Sequence, residues 1–338
     1  MKKDGTLYHK KKSAFLDIIT DGYVTTLPNV NALVVDLSCV IRSQATHLAP
    51  GKLFEDFVAL ILRNITSIAK YNSAQRIDIV ADQYSDRSVK YHTRADRKSK
   101  GFGYQIEFNE KTIVPADLKK SFLLDESNKT KLNDMIANQC KRLSDFEWDK
   151  EYCVTNRLLN VQTKEGERTI YTPNMIEVLE EADNRIVCHI NNLLENGHSQ
   201  ILVKTGDTDV IVILLGFLER FFNMMYELEL YVDFGTAEGK KISLNACYSS
   251  LGSEVCSAFP FFHSFTGADS TSAFYKISKK VWFHSWMKFP SKEELTKSFQ
   301  KLSCYPCKED VLSSEDIIQK FVVYTYSKSI DSDLDELR

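Results

Sequence analysis

The chain has 338 residues, enough for one large domain or two domains of ordinary size. Hydrophobic residues make up 43% and charged residues 26%, a composition typical of a globular protein and not of a disordered or fibrous one. The 43 basic and 46 acidic residues leave a formal net charge of −3. Any site for a polyanion must therefore be a local basic patch.

The apolar runs of the sequence are short, and none approaches the roughly 20 residues that a membrane span requires. The lysine-rich start of the chain lacks the apolar segment of a secretory signal. Eight cysteines are scattered along the sequence, as is typical of reduced thiols in an intracellular protein. We expect no membrane association and an intracellular location, and a nuclear location would follow from work on DNA.

Short buried strands alternate with amphipathic helices in the first part of the chain. Residues Asn31–Asp36 (NALVVD) and Arg76–Asp82 (RIDIVAD) are apolar runs that end in an acid, as expected of buried strands. Between them, Leu53–Tyr71 carries apolar residues at helical spacing. This alternation predicts an α/β fold with a central, mostly parallel sheet flanked by helices.

The remaining segments complete this prediction. A polar, lysine-rich insertion covers about 101–148, and a pair of strands is expected within 151–171. A long helix is expected over Asn174–Leu194, with further strands at Gln200–Thr205 and Leu228–Asp233. From about Ser253 onward the pattern is helical and rich in aromatic residues.

Carboxylates follow three of the predicted strands. Asp36 and Asp82 each end one strand, and Asp207 and Asp209 follow another. Because the carboxyl ends of parallel strands share one edge of a sheet, we expect these acids to meet there. Glu181 and Asp183, on the helix before the last of these strands, add two more carboxylates.

A cluster of this kind has two interpretations. Clustered carboxylates repel one another unless a cation offsets their charge, and an oxygen-only ligand set favours Mg²⁺ or Mn²⁺ over Zn²⁺. Such ions are suited to phosphodiester hydrolysis. In the alternative interpretation, each aspartate forms a turn or caps a helix, which is what a single aspartate at a strand end most often does.

Five segments resemble the acidic motifs of the 5′-nuclease superfamily, which contains the flap endonucleases and XPG-like enzymes and has a PIN-like fold. NALVVDLSCVIRS resembles the first motif and RIDIVADQYSDRSVKYHTRADR the second, while EEADNRIVCH, VKTGDTDVIVILLG and FTGADSTSAFYKISKK resemble the later ones. The resemblance covers about residues 31–280. The positions that match the family's metal ligands are Asp36, Asp82, Glu181, Asp183, Asp207, Asp209 and Asp269.

The resemblance implies a structure-specific nuclease that uses two Mg²⁺ or Mn²⁺ ions. Asp36, Asp82, Glu181 and Asp183 would serve the ion nearer the attacking water, and the other three acids would complete the second site. It also implies an N-terminal extension (1–30), a PIN-like nuclease core (31–252, with an insertion at about 84–150) and a helical C-terminal region (253–338) resembling a helix-hairpin element. The segment after Asp269 lacks the family's usual glycine turn for duplex phosphates.

Basic residues directly after Asp82 provide a candidate phosphate contact. Lys90, Arg94 and Arg97 recur at helical spacing and would form one cationic stripe. DNA or RNA is the expected partner, although a solvated helix face has the same pattern. Two other functions remain open, namely a catalytically inactive PIN-like module that binds nucleic acid or protein, and a phosphatase acting on small substrates.

Overall fold

The structure is a computed structural model that describes residues 12–82, 103–140, 148, 150–155, 160–164, 167–171, 182–235, 239–268 and 271–328. The chain divides into two compact units. One, the sheet unit, comprises Val24–Val210 and Phe221–Ser243, and the other, the helical unit, comprises Met1–Tyr23, Ile211–Arg220 and Leu244–Arg338.

The described residues include one sheet of nine strands. The strands are β1 (Tyr23–Val24), β2 (Ala32–Asp36), β3 (Arg76–Val80), β4 (Glu151–Thr155), β5 (Asn160–Lys164), β6 (Glu167–Tyr171), β7 (Gln200–Thr205), β8 (Glu229–Phe234) and β9 (Lys240–Ser243). Their order across the sheet is β1-β9-β8-β7-β2-β3-β4-β5-β6.

The middle of the sheet is parallel. Strands β8, β7, β2, β3 and β4 pair in parallel, whereas β9, β5 and β6 add antiparallel strands at the two sides. Every residue of β2 and of β3 is buried, as expected for parallel strands covered on both faces. This arrangement confirms the predicted α/β class with a mostly parallel sheet flanked by helices.

Helices accompany the strands in the sheet unit. They are α1 (Leu37–Gln44), α2 (Phe54–Tyr71), α3 (Glu126–Cys140), α4 (Ala182–Glu195) and α5 (Thr208–Met224), of which the middle of α5 belongs to the helical unit. Helix α2 buries one face that includes Phe57, Ile61 and Ile65, all with no exposed surface. These side chains lie in one hydrophobic core with Leu33, Val35 and other strand residues.

The helical unit is built around aromatic side chains. Its further helices are α6 (Leu244–Leu251), α7 (Ser253–Phe265), α8 (Lys279–Lys288), α9 (Lys292–Ser303) and α10 (Lys308–Ser327). Trp282 and Trp286 are fully buried and pack against phenylalanine rings of α7, α9 and α10. The predicted helical C-terminal region is therefore confirmed in its helix content.

Two expectations are corrected in detail. The predicted pair of strands within 151–171 is three strands: β4 joins the parallel sheet, and β5 and β6 form an antiparallel pair beside it. The strand predicted over Arg76–Asp82 ends at Val80, so that Ala81 and Asp82 extend past it. The predicted helix Asn174–Leu194 is described from Ala182 onward, and residues 172–181 lie outside the described part.

The described helices include none that is both long enough and apolar enough to cross a membrane.

Candidate metal site at the carboxyl edge of the sheet

Three neighbouring parallel strands, β7, β2 and β3, end at the same edge of the sheet. The register places Asp36 opposite Val80 of β3 and Val35 opposite Lys204 of β7. Asp36 therefore lies centrally, with Asp82 just past the neighbouring strand on one side and Asp207 just past the neighbour on the other. The predicted convergence of the strand-end acids agrees with this topology.

Asp36 is the most enclosed of these three acids, with only 6% of its surface exposed. Its side chain caps helix α1, because Oδ1 accepts a hydrogen bond of 3.3 Å from the backbone N–H of Cys39. Its second oxygen, Oδ2, accepts a bond of 2.9 Å from the Thr205 hydroxyl. Both oxygens are thus fixed by the protein, one by the helix that follows Asp36 and the other by the neighbouring strand β7.

Asp82 connects three elements of the sheet unit. Its Oδ2 accepts a hydrogen bond of 2.9 Å from Ser38 at the start of α1, and its Oδ1 accepts one of 3.0 Å from the backbone N–H of Ala182. Ala182 is the first described residue of helix α4, and Asp82 accepts a hydrogen bond from its backbone N–H. Asp183 follows in the same first turn of α4 and is 8% exposed.

Asp183, Asp207 and Asp209 form a group of three carboxylates. Each offers a carboxylate oxygen, and these oxygens all lie within 4.8 Å of one another. Asp207 caps helix α5, since its Oδ1 accepts a hydrogen bond of 2.9 Å from the backbone N–H of Asp209. Asp207 and Asp209 are partly exposed, so the group is accessible to solvent on one side.

The electrostatics of Asp36 reflect this crowding. Burial, followed by the charge of Asp82, raises the pKa of Asp36 to about 7, and the charge of Asp207 contributes in the same direction. The hydrogen bonds from Thr205 and Cys39 oppose the shift without cancelling it. In the metal-free protein, Asp36 is therefore protonated to a much larger extent near neutral pH than an ordinary aspartate.

Helix capping is present but does not account for the cluster. Asp36 and Asp207 each cap a helix, yet asparagine or serine would cap equally well without placing a charge beside other carboxylates. A divalent cation would offset the charges of Asp82 and Asp207, which add to the effect of burial on the pKa of Asp36. The donor set is made only of oxygen atoms, with three carboxylates close enough to share an ion, and this set fits Mg²⁺ or Mn²⁺.

Several predicted site residues lie outside the described part of the chain. These are Glu181, Asp269, Lys90, Arg94 and Arg97. The predicted division of the seven acids between two ions therefore stays a prediction. Within the described residues, Asp183 lies with Asp207 and Asp209, which the division assigns to the other ion.

Sequence reasoning missed the polar residues that hold the acids in place. The Thr205 hydroxyl donates to Asp36 and also accepts a hydrogen bond of 3.1 Å from the backbone N–H of Asp207. Ser38 performs a similar role for Asp82. Each lies two residues from a predicted ligand in the sequence, at Asp36–Ser38 and Thr205–Asp207. That spacing is the one signal that could have indicated them.

A second polar cluster lies inside the sheet unit. His189 Nδ1 lies 2.6 Å from Asp78 Oδ2, and His189 Nε2 lies 2.6 Å from the Thr155 hydroxyl. The order of groups resembles an Asp–His–Thr triad, but Asp78 and Thr155 have no exposed surface and His189 only 3%. No substrate can reach a hydroxyl buried in this way, so the cluster joins α4 to β3 and β4 structurally.

Cys153 lies within metal-ligand distance of Asp78 and His189. The Asp78 carboxylate, however, is already paired with the positively charged side chain of Arg76. The Arg76 guanidinium binds both oxygens of Asp78, at 2.6 and 3.0 Å. Burial opposes the charge of Asp78, yet its hydrogen bond to His189 and the Arg76 charge outweigh that effect and hold its pKa below the ordinary value. This cluster is therefore a buried ion-pair network.

The eight cysteines are all free thiols, and only Cys304 and Cys307 are exposed. His263 is 3% exposed and its ring packs edge-on against Phe15 at 5.6 Å between centroids. Both observations agree with packing or surface roles for these residues and not with a second reactive centre.

No family model and no curated protein matches the chain. Among solved structures, the chain is similar to a bacteriophage T5 flap endonuclease in a pseudo-enzyme–product complex with DNA and metal ions, with 12% identity, a TM-score of 0.45, and coverage of 89% of this chain and 94% of that one. It is also similar to the catalytic core of Rad2 in complex with a DNA substrate, with 12% identity, a TM-score of 0.43, and coverage of 92% and 79%. The T5 protein co-crystallised with metal ions gives 12% identity and a TM-score of 0.42, with coverage of 89% and 95%.

Proposed function

We propose that this chain is a divalent-metal-dependent nuclease that hydrolyses phosphodiester bonds of DNA or RNA. The observation that carries the proposal is the convergence of carboxylates at the ends of β7, β2 and β3, where oxygens of Asp183, Asp207 and Asp209 lie within 4.8 Å of one another. Burial, with the charges of Asp82 and Asp207, raises the pKa of Asp36 at the same edge to about 7. Carboxylates held this close together repel one another, and a bound divalent cation would offset that repulsion. The acidic motifs that resemble those of 5′-nucleases agree with this proposal.

The chain's own residues would divide the work. Asp183, Asp207 and Asp209 would hold one divalent ion, and Asp36 and Asp82 would contribute to a second, with Glu181 and Asp269 completing the ligands. When bound, Mg²⁺ or Mn²⁺ ions lower the pKa of water and stabilise the leaving oxygen of a phosphodiester. Thr205 and Ser38 would keep Asp36 and Asp82 oriented, because their hydroxyls donate to carboxylate oxygens.

Lys90, Arg94 and Arg97 are proposed to bind the phosphates of the substrate. They follow Asp82 in sequence and recur at helical spacing, so one cationic stripe would begin close to the carboxylates. Fixed cations at that position would bind the polyanion and offset charge on the phosphate undergoing attack. A long stripe favours a polymeric substrate over a small phosphate ester.

The proposal is tested by cleavage of end-labelled single-stranded, duplex and flap substrates made of DNA and of RNA. Each is incubated with Mg²⁺, Mn²⁺ or EDTA, using the wild-type protein and Asp207→Ala/Asp209→Ala. Cutting that requires the metal and disappears in the double variant is the expected result. A folded wild-type protein that cuts none of these substrates with either metal would overturn the proposal.

The alternative is a catalytically inactive PIN-like module. It would bind nucleic acid without cutting it, and the same substrates report this by a mobility shift in the absence of product. Retention of the described acids Asp36, Asp82, Asp183, Asp207 and Asp209 opposes this alternative, because clustered charges destabilise the fold and have no use in a module that binds no metal.

A further inference from the structure

A buried arginine lies next to the carboxylate edge, inside the segment EEADNRIVCH but not among the predicted metal ligands. Arg185 is in helix α4, two residues after Asp183, and only 1% of its surface is exposed. Its Nη1 donates a hydrogen bond of 2.6 Å to the backbone carbonyl of Ala81. Ala81 directly precedes Asp82, at the point where the chain leaves β3.

Asp82 is the carboxylate whose charge acts on Arg185. The negative charge of Asp82 stabilises the Arg185 guanidinium, which burial alone would disfavour. A buried guanidinium is costly unless it lies near negative charge and donates hydrogen bonds. Arg185 meets both conditions through two consecutive residues: Asp82 supplies the negative charge, and the Ala81 carbonyl accepts the hydrogen bond.

Helix α4 contacts Asp82 and the residue before it through two separate hydrogen bonds. The backbone N–H of Ala182 donates to Asp82 Oδ1 at 3.0 Å, while Arg185, three residues further along the helix, donates to the carbonyl before Asp82. The backbone N–H of Ala81 donates a hydrogen bond of 2.9 Å to the Thr155 carbonyl of β4, which fixes the preceding Val80–Ala81 peptide. Ala81 is thus held between α4 and the sheet.

We propose that Arg185 is a positioning residue that fixes Asp82 at the first turn of α4 and so sets its place among the metal ligands. The metal-ligand part of this inference rests on the proposed function. The positioning of Asp82 against Ala182 is independent of the proposed function, because it requires neither metal nor nucleic acid. The two parts can therefore be tested separately.

The first readout needs no metal. Hydrogen exchange of the Ala182 amide reports its bond to Asp82, and we compare wild type with Arg185→Met and Arg185→Lys. Leu193→Ala is the matched control, since Leu193 is fully buried on the same helix but remote from its first turn. Arg185→Met should speed exchange of this amide by about tenfold relative to the control, and Arg185→Lys should recover part of the protection.

The second readout is metal binding, followed by calorimetric titration of the full chain with Mn²⁺. Arg185→Met should weaken Mn²⁺ binding by about tenfold, the usual effect of losing a residue that orients a ligand. In cleavage assays kcat should fall while KM for the nucleic acid stays near the wild-type value. Leu193→Ala should change none of these quantities beyond the effect of its lower stability.

The outcomes separate the two hypotheses. If Ala182 exchange in Arg185→Met matches that of Leu193→Ala, Arg185 does not position Asp82 and the inference is wrong. If the exchange result is as expected but the wild type neither binds Mn²⁺ nor cleaves nucleic acid, the proposed function is wrong. Arg185 would then hold Asp82 in place for structural reasons only. If Mn²⁺ binding by Arg185→Met equals that of wild type, the metal-ligand part of the inference is wrong.

Discussion

The Thr205 hydroxyl donates a hydrogen bond of 2.9 Å to Asp36 Oδ2 and so joins the ends of two neighbouring strands, β7 and β2. The same hydroxyl accepts a hydrogen bond from the Asp207 backbone, which begins helix α5. One threonine therefore couples the most buried strand-end carboxylate to the cap of the next helix. The crowded acids are held in place by the fold even without an ion.

The first prediction concerns the pH dependence of stability. The pKa of Asp36 is raised to about 7 in the folded protein, from about 4 in the unfolded chain. The stability associated with its protonated form is thus present below pH 4 and is lost as the pH rises towards 7. The metal-free protein should lose about 4 kcal/mol from this group across that interval.

Asp36→Asn tests this prediction, because asparagine keeps an oxygen acceptor and a similar shape without the charge. In EDTA, its unfolding free energy should exceed that of wild type, by a margin that grows up to about pH 7 and then levels off. Urea denaturation at several pH values measures this margin. If the variant were less stable than wild type at pH 8, the raised pKa of Asp36 would be contradicted. The variant should also be unable to cleave nucleic acid.

The second prediction concerns Asp183 as a metal ligand. Asp183→Asn should weaken Mn²⁺ binding by at least about tenfold, because one of three carboxylates within 4.8 Å of one another loses its charge. Glu195→Gln, at the exposed far end of the same helix, is the control and should bind Mn²⁺ as wild type does. Equal Mn²⁺ affinity for the two variants would exclude Asp183 from the site.

The third prediction separates the buried Asp78 cluster from chemistry. His189→Leu removes one hydrogen-bond partner from each of Asp78 and Thr155, while Arg76 still binds Asp78, and it should lower the unfolding free energy by about 3 kcal/mol. Because the pKa of Asp78 is lowered in the folded state, this network stabilises above the carboxyl's ordinary pKa, and its contribution fades as the solution becomes more acidic. Mn²⁺ affinity should stay unchanged; a selective loss of metal binding would refute the structural role.

The fourth prediction concerns the basic stripe. Arg94→Ala/Arg97→Ala should weaken nucleic-acid binding and reduce the slope of log K against log salt by about 2, one for each guanidinium removed from a phosphate. Lys119→Ala/Lys120→Ala removes the same charge from two exposed lysines elsewhere in the sheet unit. Fluorescence anisotropy at several salt concentrations measures both variants. Identical slopes for the two pairs would show that the stripe makes no specific phosphate contact.

Much of the sheet edge was predictable from sequence, because parallel strands buried on both faces are continuous apolar runs. Asn31–Asp36 and Gln200–Thr205 agree with β2 and β7 to within a residue. Strand ends that carry acids then meet by topology alone, which places Asp36 between Asp82 and Asp207. Helix α2 was equally clear, since its apolar face repeats over five turns.

The supporting groups were not predictable, because their partners are distant in sequence. Arg185 contacts Ala81 across 104 positions, and Thr205 contacts Asp36 across 169. His189 carries no pattern that distinguishes a ligand from a core residue, and only the positions of Asp78 and Thr155 decide the matter. The number of strands within 151–171 was underestimated. The residues of β5 and β6 are largely polar and pair antiparallel at the side of the sheet, where apolar periodicity is weak.

The most direct test of the central claim is a calorimetric titration of the full-length chain with Mn²⁺, comparing wild type with Asp207→Ala/Asp209→Ala. Circular dichroism confirms beforehand that both are folded. The wild type should bind Mn²⁺ and become more stable to heat, whereas the double variant should do neither. Equal Mn²⁺ binding by the two proteins, or no binding by a folded wild type, would contradict a metal site at the ends of these strands.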